Sequence, residues 1–487
     1  RRLAGTGVVD RAHRLSGRME WATGARAYPT VTGRHIRILA EATSLSDDIA
    51  FLVTAFARRV FGGTDDVESL ARLTGGANME SWSFDYAGQG YVLRRSPSAD
   101  MMAGRTYGHD VEAAVVRAAF AAGVKAPEIL GEVKAADNLG TGYVMRRVEA
   151  EVNPAKILLN APPGLLNDFA RELAAIHAVP VDLLPQLPET SAESLLAELR
   201  GRFINFGGDR PVMALAFKWL EDHLPPPVPA VLLHGDFRMG NIMVDDHGLA
   251  AVLDWELAHL GDRHQDLAFG CINSWRFGYI DRPAFGIGPL DEFFAAYERV
   301  SGTSVEPERF RWWLIYSTLW WGVCCLQMAD IWRSGLDEGL ERAVIGRRTS
   351  ETEIDLLMLL EDDAPEAERG PITLPSPAAP RRLGEPSSTE MLEALARWIE
   401  TDIKPQAKGR DRFMAAVAVN ALGMLQREVT APLNVHDTSL SDALLAGRKS
   451  LVTPGLLMQL KAQSLAKLAA DQPKYAGLAA ARKKWTI

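Results

Sequence analysis

Residues 231–244 read VLLHGDFRMGNIMV, and residues 251–256 read AVLDWE. The first stretch is an apolar run that enters a tight loop carrying Asp236 and Asn241, and a second apolar run leaves that loop. The second stretch is apolar up to Asp254, where it ends in a carboxylate. Short apolar runs bounded by turn residues are typical of strands. We therefore expect two short strands to bring two carboxylates and one carboxamide to the same place.

The residues of this loop match the needs of phosphoryl transfer from a nucleotide. That reaction needs a carboxylate that orients the attacking hydroxyl group and oxygen ligands that hold magnesium against the phosphates. Asp236 fits the first need, Asn241 and Asp254 fit the second, and Glu256 is a candidate for a further metal contact. Four residues separate Asp236 from Asn241, which is the spacing of the kinase catalytic loop H-x-D-x-x-x-x-N. The turn residues 245–248, of sequence DDHG, predict a hairpin between the two apolar runs. The structural alternative is that Asp236 caps a turn and Asp254 merely ends a strand.

The chain resembles the aminoglycoside phosphotransferase and choline kinase-like family of small-molecule kinases. The resemblance is carried by H-G-D-x-x-x-x-N-I, L-D-W-E, G-D and D-L-A elements, which stand at residues 234–242, 253–256, 261–262 and 266–268. It covers about residues 65–350, which is most of the chain. It implies an α+β, bilobal protein-kinase-like fold with a small antiparallel-sheet N-lobe and a mainly helical C-lobe. It also implies ATP and Mg²⁺ as cofactors.

Composition places the chain among ordinary globular proteins. The 487 residues are 47% hydrophobic and 24% charged, with 53 basic and 62 acidic residues for a net charge of -9. Because no strongly basic domain stands out, we expect no nucleic-acid partner. The three cysteines suit a reducing cytoplasm. We expect no membrane partner, because the longest apolar stretch, residues 312–329, carries polar residues and scattered tryptophans and is interpreted as a buried helix of the larger lobe.

The small lobe is predicted to hold a helix from Leu45 and three short strands. The strands are expected at residues 67–73, 81–86 and 91–95. A turn at residues 74–78 joins the first two strands, and its glycines let backbone amides approach phosphate oxygens closely. We therefore predict that Gly75 and Gly76 contact the nucleotide, although two glycines also suffice to turn a hairpin.

The third of these strands carries the cation that is expected to hold the nucleotide phosphates. Alternation places Val92 and Arg94 on one face, so Val92 is expected to touch the base while Arg94 reaches the phosphates. Arg95 is the competing assignment, and a solvated surface arginine is the structural alternative. The protein-kinase pattern has lysine at this position, so arginine keeps the charge but changes its geometry. The resemblance implies that Glu112, on a helix predicted at residues 109–122, pairs with this cation.

The hinge between the lobes is expected at the end of a strand at residues 142–145. The resemblance implies that backbone groups of Met145, Arg146 and Val148 hydrogen-bond the adenine, with Met145 as an apolar wall. Met145 is otherwise ordinary core filling.

Several polar residues of the large lobe are expected to have structural roles. Asp262 and Asp266 are predicted to fix their loop and to cap a helix that starts near Leu267. His177 is predicted to be a packed histidine rather than a ligand. Only about a dozen residues lie between Asp254 and Asp266, so this segment offers little surface on which a protein substrate could bind. A small-molecule acceptor is therefore favoured.

The chain divides into five predicted segments. Residues 1–40 form an N-terminal extension that is expected to be flexible, residues 41–148 form the N-lobe, and residues 149–360 form the C-lobe with the catalytic loop. Residues 361–386 are rich in proline and acidic residues and predict an extended linker. Residues 387–487 predict a separate helical domain of unknown role, which is a candidate for mediating association while the oligomeric state stays open.

These features predict an ATP- and Mg²⁺-dependent phosphotransferase that moves the γ-phosphate to a hydroxyl group of a small molecule. The resemblance allows an aminoglycoside, choline or another amino alcohol, a sugar, or a hydroxyacyl-CoA thioester as the acceptor, and it does not separate ATP from GTP. The rival hypothesis is a pseudokinase, which is a nucleotide-binding or scaffolding module. Arg94 in place of lysine supports the rival, whereas the intact Asp236, Asn241 and Asp254 oppose it.

Overall fold

The computed structural model describes residues 38–73, 79–98, 102, 105–374, 384–429, 431 and 437–486, with side chains described from residue 48 onward. The predicted N-terminal extension up to residue 37 and the predicted phosphate turn with Gly75 and Gly76 lie outside the described residues. The described chain forms a small lobe built on an antiparallel sheet and a larger, mainly helical lobe, as the sequence predicted.

The small lobe consists of one five-stranded sheet and two helices among the described residues. Its elements are α1 (Ile38–Phe61), β1 (Glu68–Arg72), β2 (Glu80–Tyr86), β3 (Gln89–Ser96), α2 (His109–Ala121), β4 (Ile129–Glu132) and β5 (Thr141–Arg146). The strands follow the order β1-β2-β3-β5-β4, and every neighbouring pair is antiparallel. Helix α1 starts at Ile38, which is earlier than the predicted start at Leu45.

Strand β3 separates two environments, because its side chains alternate between the faces of the sheet. Tyr91 and Leu93 are buried in one cluster with Phe56 of α1. Val92 and Arg94 therefore lie on the opposite face, where Arg94 reaches the large lobe. The predicted placement of Val92 and Arg94 on one face is confirmed.

The large lobe carries two short two-stranded sheets among its helices. Its strands are β6 (Val231–Leu233), β7 (Ile242–Asp245), β8 (Gly248–Val252) and β9 (His259–Gly261). Its helices are α3 (Pro154–Leu159), α4 (Leu165–His177), α5 (Ala192–Asn205), α6 (Pro211–Asp222), α7 (Arg263–Phe269), α8 (Leu290–Ser301), α9 (Pro307–Arg333), α10 (Leu340–Gly346) and α11 (Thr349–Leu360). Strand β6 pairs antiparallel with β9, and β7 pairs antiparallel with β8. The predicted hairpin is thus β7-β8, and the catalytic loop joins β6 to it.

Two helices of the large lobe bear on the predictions. Helix α7 follows Asp262, whose carboxylate accepts the N–H of His264 at 3.0 Å, so the predicted start near Leu267 was wrong and the cap lies earlier. Helix α9 contains residues 312–329 and is buried over most of that stretch, as predicted. Within the described part of the chain, no helix combines the length and apolar character that crossing a bilayer requires.

Within the described chain, five α-helices follow the large lobe. They are α12 (Ser388–Trp398), α13 (Gly409–Glu428), α14 (Thr438–Leu445), α15 (Leu456–Asp471) and α16 (Ala476–Trp485). Leu444, Leu457 and Trp485 are at most 1% exposed and belong to the same buried cluster as the core of the large lobe. The predicted C-terminal helices are therefore present, and their core is continuous with that of the lobe they follow.

The segment after α11 differs from the predicted extended linker. Residues 361–374 begin with two short 3₁₀ turns. Glu361 is 2% exposed, pairs with Lys461 at 2.9 Å and accepts the indole N–H of Trp485 at 2.8 Å. Proline and acid content predicted extension, but buried partners on α15 and α16 anchor the start of this segment. Residues 375–383 lie outside the described residues.

Candidate functional site

The catalytic loop between β6 and β7 is fixed by a buried carboxylate and a glycine. Asp266 is fully buried and accepts the backbone N–H groups of His234 at 2.7 Å and Gly235 at 2.9 Å. Gly235 has a φ of 80°, and a Cβ at this position would collide with the carbonyl oxygen of Leu257. These contacts hold the loop backbone directly before Asp236. The sequence predicted that Asp266 fixes its own loop, whereas it lies within α7 and holds the loop of His234 and Gly235.

His234 links the loop of Asp236 to the strand end that carries Asp254. Its Nδ1 accepts the backbone N–H of Asp236 at 3.2 Å, so the ring proton is on Nε2, which donates to the carbonyl oxygen of Leu253 at 3.0 Å. Burial lowers the pKa of His234, so the ring is neutral at neutral pH. This histidine therefore joins the backbone of Asp236 to that of Leu253, the residue before Asp254.

The carboxylate of Asp236 has polar partners on both oxygens. Arg238 Nε lies 2.7 Å from Oδ1, and the amide nitrogen of Asn241 lies 2.5 Å from Oδ2. Burial raises the pKa of Asp236 to about 6, and the charge and hydrogen bond of Arg238 oppose that rise. The charge of Asp254 also raises this pKa. The residue before Asp254, Leu253, donates its backbone N–H to the carbonyl oxygen of Asn241 at 2.7 Å. The structure thus brings Asp236, Asn241 and Asp254 together.

The predicted metal-binding oxygens belong to Asn241, Asp254 and Glu256. The amide nitrogen of Asn241 donates to Asp236, which leaves the amide oxygen for a cation. Asp254 has a φ of 68°, an uncommon conformation for a residue with a side chain that is frequent at functional sites. Burial and the nearby charge of Asp254 raise the pKa of Glu256. Because two neighbouring carboxylates repel each other, a cation bound between them is stabilised.

These oxygens fit a magnesium ion in their chemistry. Asp254 Oδ1 and Glu256 Oε2 lie 2.5 Å and 2.9 Å from the same guanidinium nitrogen of Arg94, so both converge on one cationic group. Carboxylate and amide oxygens are the hard ligands that Mg²⁺ prefers. Over the described ranges, no group of three or more His, Cys, Asp or Glu side chains is arranged to hold a metal ion. The predicted set differs from such a group, because one of its three donors is an amide.

Arg94 connects the small lobe to these acids. Its Nε lies 3.3 Å from Glu112 Oε1, which is the pairing that the resemblance implied, and Glu112 is fully buried. The competing Arg95 binds Glu80 at 2.9 Å instead. Of the two arginines, Arg94 therefore reaches the cleft.

Arg105 and Tyr107 also contact this cleft, and no sequence pattern predicted either of them. Arg105 pairs with Glu112 at 3.4 Å and with Glu256. The hydroxyl group of Tyr107 lies within hydrogen-bond distance of the carbonyl oxygens of Trp255 and Ala258, at 3.0 Å and 2.9 Å. The contacts of Arg105 with Glu256 and of Tyr107 with Trp255 and Ala258 join positions 148 to 151 residues apart, which local patterns do not encode.

The predicted adenine contacts lie at the start of the hinge. Met145 pairs with Val92 across β3 and β5, so the two apolar side chains are neighbours. Arg146 uses its N–H for the carbonyl oxygen of Glu128 at 2.9 Å, and its guanidinium lies over the ring of Tyr91. Among the hydrogen bonds of the described residues, none engages the backbone of Val148. Val148 therefore has backbone groups free for a ligand, whereas the N–H and side chain of Arg146 are engaged.

A cavity of about 390 Å³ lies elsewhere, between α9, α10, α13 and α15. Trp332, Lys467 and Asp471 line it, and none of its described lining residues belongs to the candidate site. Its charged groups neutralise one another, because Lys467 binds Glu353 at 2.7 Å and Arg347 binds Asp471 at 2.7 Å. The candidate residues for phosphoryl transfer therefore lie in the cleft and not in this cavity.

Comparisons with known proteins identify the family of the chain. A model described as the phosphotransferase enzyme family matches residues 69–313, which is half of the chain. Acyl-CoA dehydrogenase family member 11 from Gallus gallus is 26% identical over 339 residues, which cover 62% of this chain and 40% of that protein. Hygromycin-B 4-O-kinase from Escherichia coli is 26% identical over 223 residues, which cover 42% of this chain and 62% of that protein. The chain thus spans less than two thirds of either relative.

A solved structure supports the fold. The solved structure is that of a Ralstonia eutropha protein described as an aminoglycoside phosphotransferase. It superimposes on this chain with a TM-score of 0.51 at 19% identity, over 64% of this chain and 98% of the other. At this identity the likeness shows the fold alone. With the family match covering the sheet and the catalytic loop, the chain belongs to the phosphotransferase enzyme family and is an enzyme of the protein-kinase-like fold.

Proposed function

We propose that the protein is an ATP- and Mg²⁺-dependent phosphotransferase that moves the γ-phosphate to a hydroxyl group of a small molecule. The observation that carries this proposal is the geometry around Asp236. The carboxylate of Asp236 is 15% exposed and accepts the amide N–H of Asn241 at 2.5 Å, and the backbone carbonyl of Asn241 accepts the N–H of Leu253, the neighbour of Asp254, at 2.7 Å. Membership of the phosphotransferase enzyme family supports the reaction class.

In the proposed reaction, Asp236 accepts the proton of the acceptor hydroxyl. The hydroxyl oxygen forms a bond to the γ-phosphorus, and the bond between that phosphorus and the bridging oxygen of ADP breaks. ADP leaves with the electron pair of the broken bond. A carboxylate with a pKa of about 6 is ionised at neutral pH and basic enough to assist this transfer. Asn241 and Arg238 hold the carboxylate in one orientation.

Asn241, Asp254 and Glu256 are the proposed holders of Mg²⁺. When bound, the ion neutralises charge on the phosphate oxygens. The convergence of Asp254 and Glu256 on one nitrogen of Arg94 supports this assignment, since both oxygens already share a single cationic partner.

The nucleotide is proposed to lie between the sheet and the catalytic loop. Val92 and Met145 are neighbours in the sheet and form the proposed apolar wall for the base, while the free backbone of Val148 offers hydrogen bonds. Arg94, paired with Glu112, is the proposed phosphate ligand from β3. Gly75, Gly76 and the carbonyl group of Arg146 remain proposed contacts from the sequence.

The acceptor is proposed to carry an anionic or oxygen-rich group near its hydroxyl. Arg238 is 2.7 Å from Asp236 and lies 4.4 Å over the ring of Trp275. A guanidinium group beside the base attracts carboxylate or phosphate and repels a polycation. A hydroxyacyl-CoA thioester, one of the acceptors that the sequence left open, fits this environment better than an aminoglycoside, and the first relative is named an acyl-CoA dehydrogenase family member.

Three acceptors that share a carbon skeleton test this preference: glycerate, glycerol and 3-amino-1,2-propanediol. They are respectively anionic, neutral and cationic, so phosphate transfer from ATP to each isolates the effect of charge. We expect transfer to decrease in that order. A rate that is highest with the amine would contradict an anionic acceptor.

A pseudokinase is the second candidate function, and one observation favours it. The cleft acids Asp254 and Glu256 bind the chain's own Arg94, which stands where active protein kinases have lysine. Measuring Mg²⁺-dependent ATP consumption across a panel of hydroxylated metabolites separates the two functions. ATP binding without consumption in the presence of every panel member supports the pseudokinase.

We also propose a cytoplasmic location, without a nucleic-acid or membrane partner. Cys271, Cys324 and Cys325 are buried free thiols, which suits a reducing compartment. The lobe boundaries at residues 41–148 and 149–360, and a role of residues 387–487 in association, are proposals that rest on the sequence. Cell fractionation and light scattering test the location and the oligomeric state.

A further inference from the structure

Residues 105–107, which we call the strap, connect the small lobe to the metal-binding loop. The strap lies just before α2, and the hydroxyl group of Tyr107 lies 3.0 Å from the carbonyl oxygen of Trp255 and 2.9 Å from that of Ala258. These two carbonyl groups flank Glu256 in the chain. The strap is therefore held against the loop that carries the proposed metal ligands.

Arg105 occupies the same acidic environment as Arg94. Its two terminal nitrogens contact Glu112, at 3.4 Å, and Glu256. Arg94 contacts the other oxygen of Glu112 at 3.3 Å and shares the same oxygen of Glu256 at 2.9 Å. Their side chains are only 16% and 13% exposed. Two guanidinium groups thus lie side by side in the part of the cleft where the phosphates are proposed to bind.

Metal binding changes the partners that these arginines need. If Asp254 and Glu256 become metal ligands, both arginines lose carboxylate contacts and keep the one to Glu112, while their own side chains are at most 16% exposed. Two largely buried cations that share one remaining carboxylate are destabilised. A triphosphate supplies oxygens at the same place, and the planar fork of arginine matches phosphate in pairs of hydrogen bonds.

We infer that Arg105 is a second phosphate ligand for the nucleotide, which the strap holds beside Arg94. This inference rests on the proposed function, because it requires a nucleotide with metal in the cleft. It goes beyond the single β3 cation of the kinase pattern. It also identifies a reason for arginine at position 94, since two forked cations share one set of phosphate oxygens.

Binding affinities of three ligands test the inference. Adenosine, ADP and AMP-PNP differ in the number of phosphates, and each is titrated with and without Mg²⁺ by calorimetry against wild type, Arg105→Ala and Arg105→Lys. We expect Arg105→Ala to weaken AMP-PNP with Mg²⁺ by about 10- to 100-fold and adenosine by less than about twofold, with Arg105→Lys in between. Equal weakening of all three ligands would show a purely structural strap and overturn the inference.

Two further variants control this experiment. Arg117 lies on α2, is 42% exposed and pairs with Glu132, so Arg117→Ala is expected to bind all three ligands as wild type does. Tyr107→Phe removes the strap contact but keeps Arg105, and we expect a smaller loss with the same dependence on phosphate number. Circular dichroism verifies folding of each variant. Wild type that binds none of the nucleotides refutes the proposed function itself, whereas wild-type binding with unchanged affinity in Arg105→Ala refutes only the role of Arg105.

Discussion

Replacing Asp266 with alanine is expected to destabilise the catalytic loop and the lobe around it. The carboxylate is fully buried and accepts two backbone N–H groups, from His234 at 2.7 Å and from Gly235 at 2.9 Å. Hydrogen bonds to a charged group contribute about 1.5–3 kcal/mol each, so their loss costs about 3–6 kcal/mol. Removing a buried charge recovers part of this, because the carboxylate no longer has to be desolvated. We therefore expect the free energy of unfolding to fall by about 3–4 kcal/mol.

Chemical denaturation with tryptophan fluorescence measures this change. Trp255, Trp312 and Trp313 are at most 1% exposed in the large lobe, so their emission reports its unfolding. The matched control is Asp246→Ala, because Asp246 is exposed in the β7-β8 turn. We expect the control to stay within about 0.5 kcal/mol of wild type. A change of the same small size for Asp266→Ala would refute the claim that this carboxylate holds the loop.

Three further predictions follow from the structure. Arg238→Gln removes the charge that opposes the burial-raised pKa of Asp236. In wild type, kcat/KM is expected to fall near pH 6 as Asp236 gains a proton, and in the variant this acidic limb should move up by about one pH unit. A limb at the wild-type pH contradicts this prediction. Arg94→Lys keeps the charge but loses the fork, and we expect calorimetry to show about tenfold weaker AMP-PNP binding, whereas equal affinity would show that the fork is not used. Trp485→Ala removes a side chain that is 1% exposed and donates to Glu361, so urea unfolding should show a free energy of unfolding that is lower by about 3–5 kcal/mol. Trp485→Phe should lie closer to wild type, and an unchanged free energy for Trp485→Ala would mean that α16 does not support the core.

The catalytic loop was predictable because its information is local. The turn after β7 sets the hairpin, and the fixed spacing from Asp236 to Asn241 puts the amide nitrogen within 2.5 Å of the carboxylate. The alternation of β3 likewise put Val92 and Arg94 on one face. Such features depend on neighbours in the chain, which periodicity and turn chemistry describe well.

Contacts between distant segments were not predictable in the same way. Arg105 and Glu256 are 151 positions apart, and nothing near Arg105 in the sequence indicates the contact. Arg238 is visible in the catalytic loop, but its pairing with Asp236 depends on side-chain rotamers that the pattern does not define. Lys461 is a basic residue with no local mark of burial, although it is fully buried against Glu361.

The predicted linker and the predicted start of α7 were wrong for the same reason, because contacts between distant segments determine both. Proline and acidic residues after α11 favour an extended chain, but tertiary partners on α15 and α16 outweigh that preference at Glu361. The start of α7 depends on which of two acids, Asp262 or Asp266, caps the helix. Asp262 takes that role because Asp266 turns inward to the catalytic loop.

The most direct test of the account is the effect of Asp236→Ala on phosphate transfer and on nucleotide binding. Mg²⁺-dependent ATP consumption is measured with the acceptor that gives the highest wild-type rate, and AMP-PNP affinity is measured in parallel. We expect turnover to fall by about 10²- to 10⁴-fold, because the group that accepts the hydroxyl proton is lost, while nucleotide affinity persists. Equal turnover in the variant and in wild type would contradict the central claim that Asp236 performs the proton transfer.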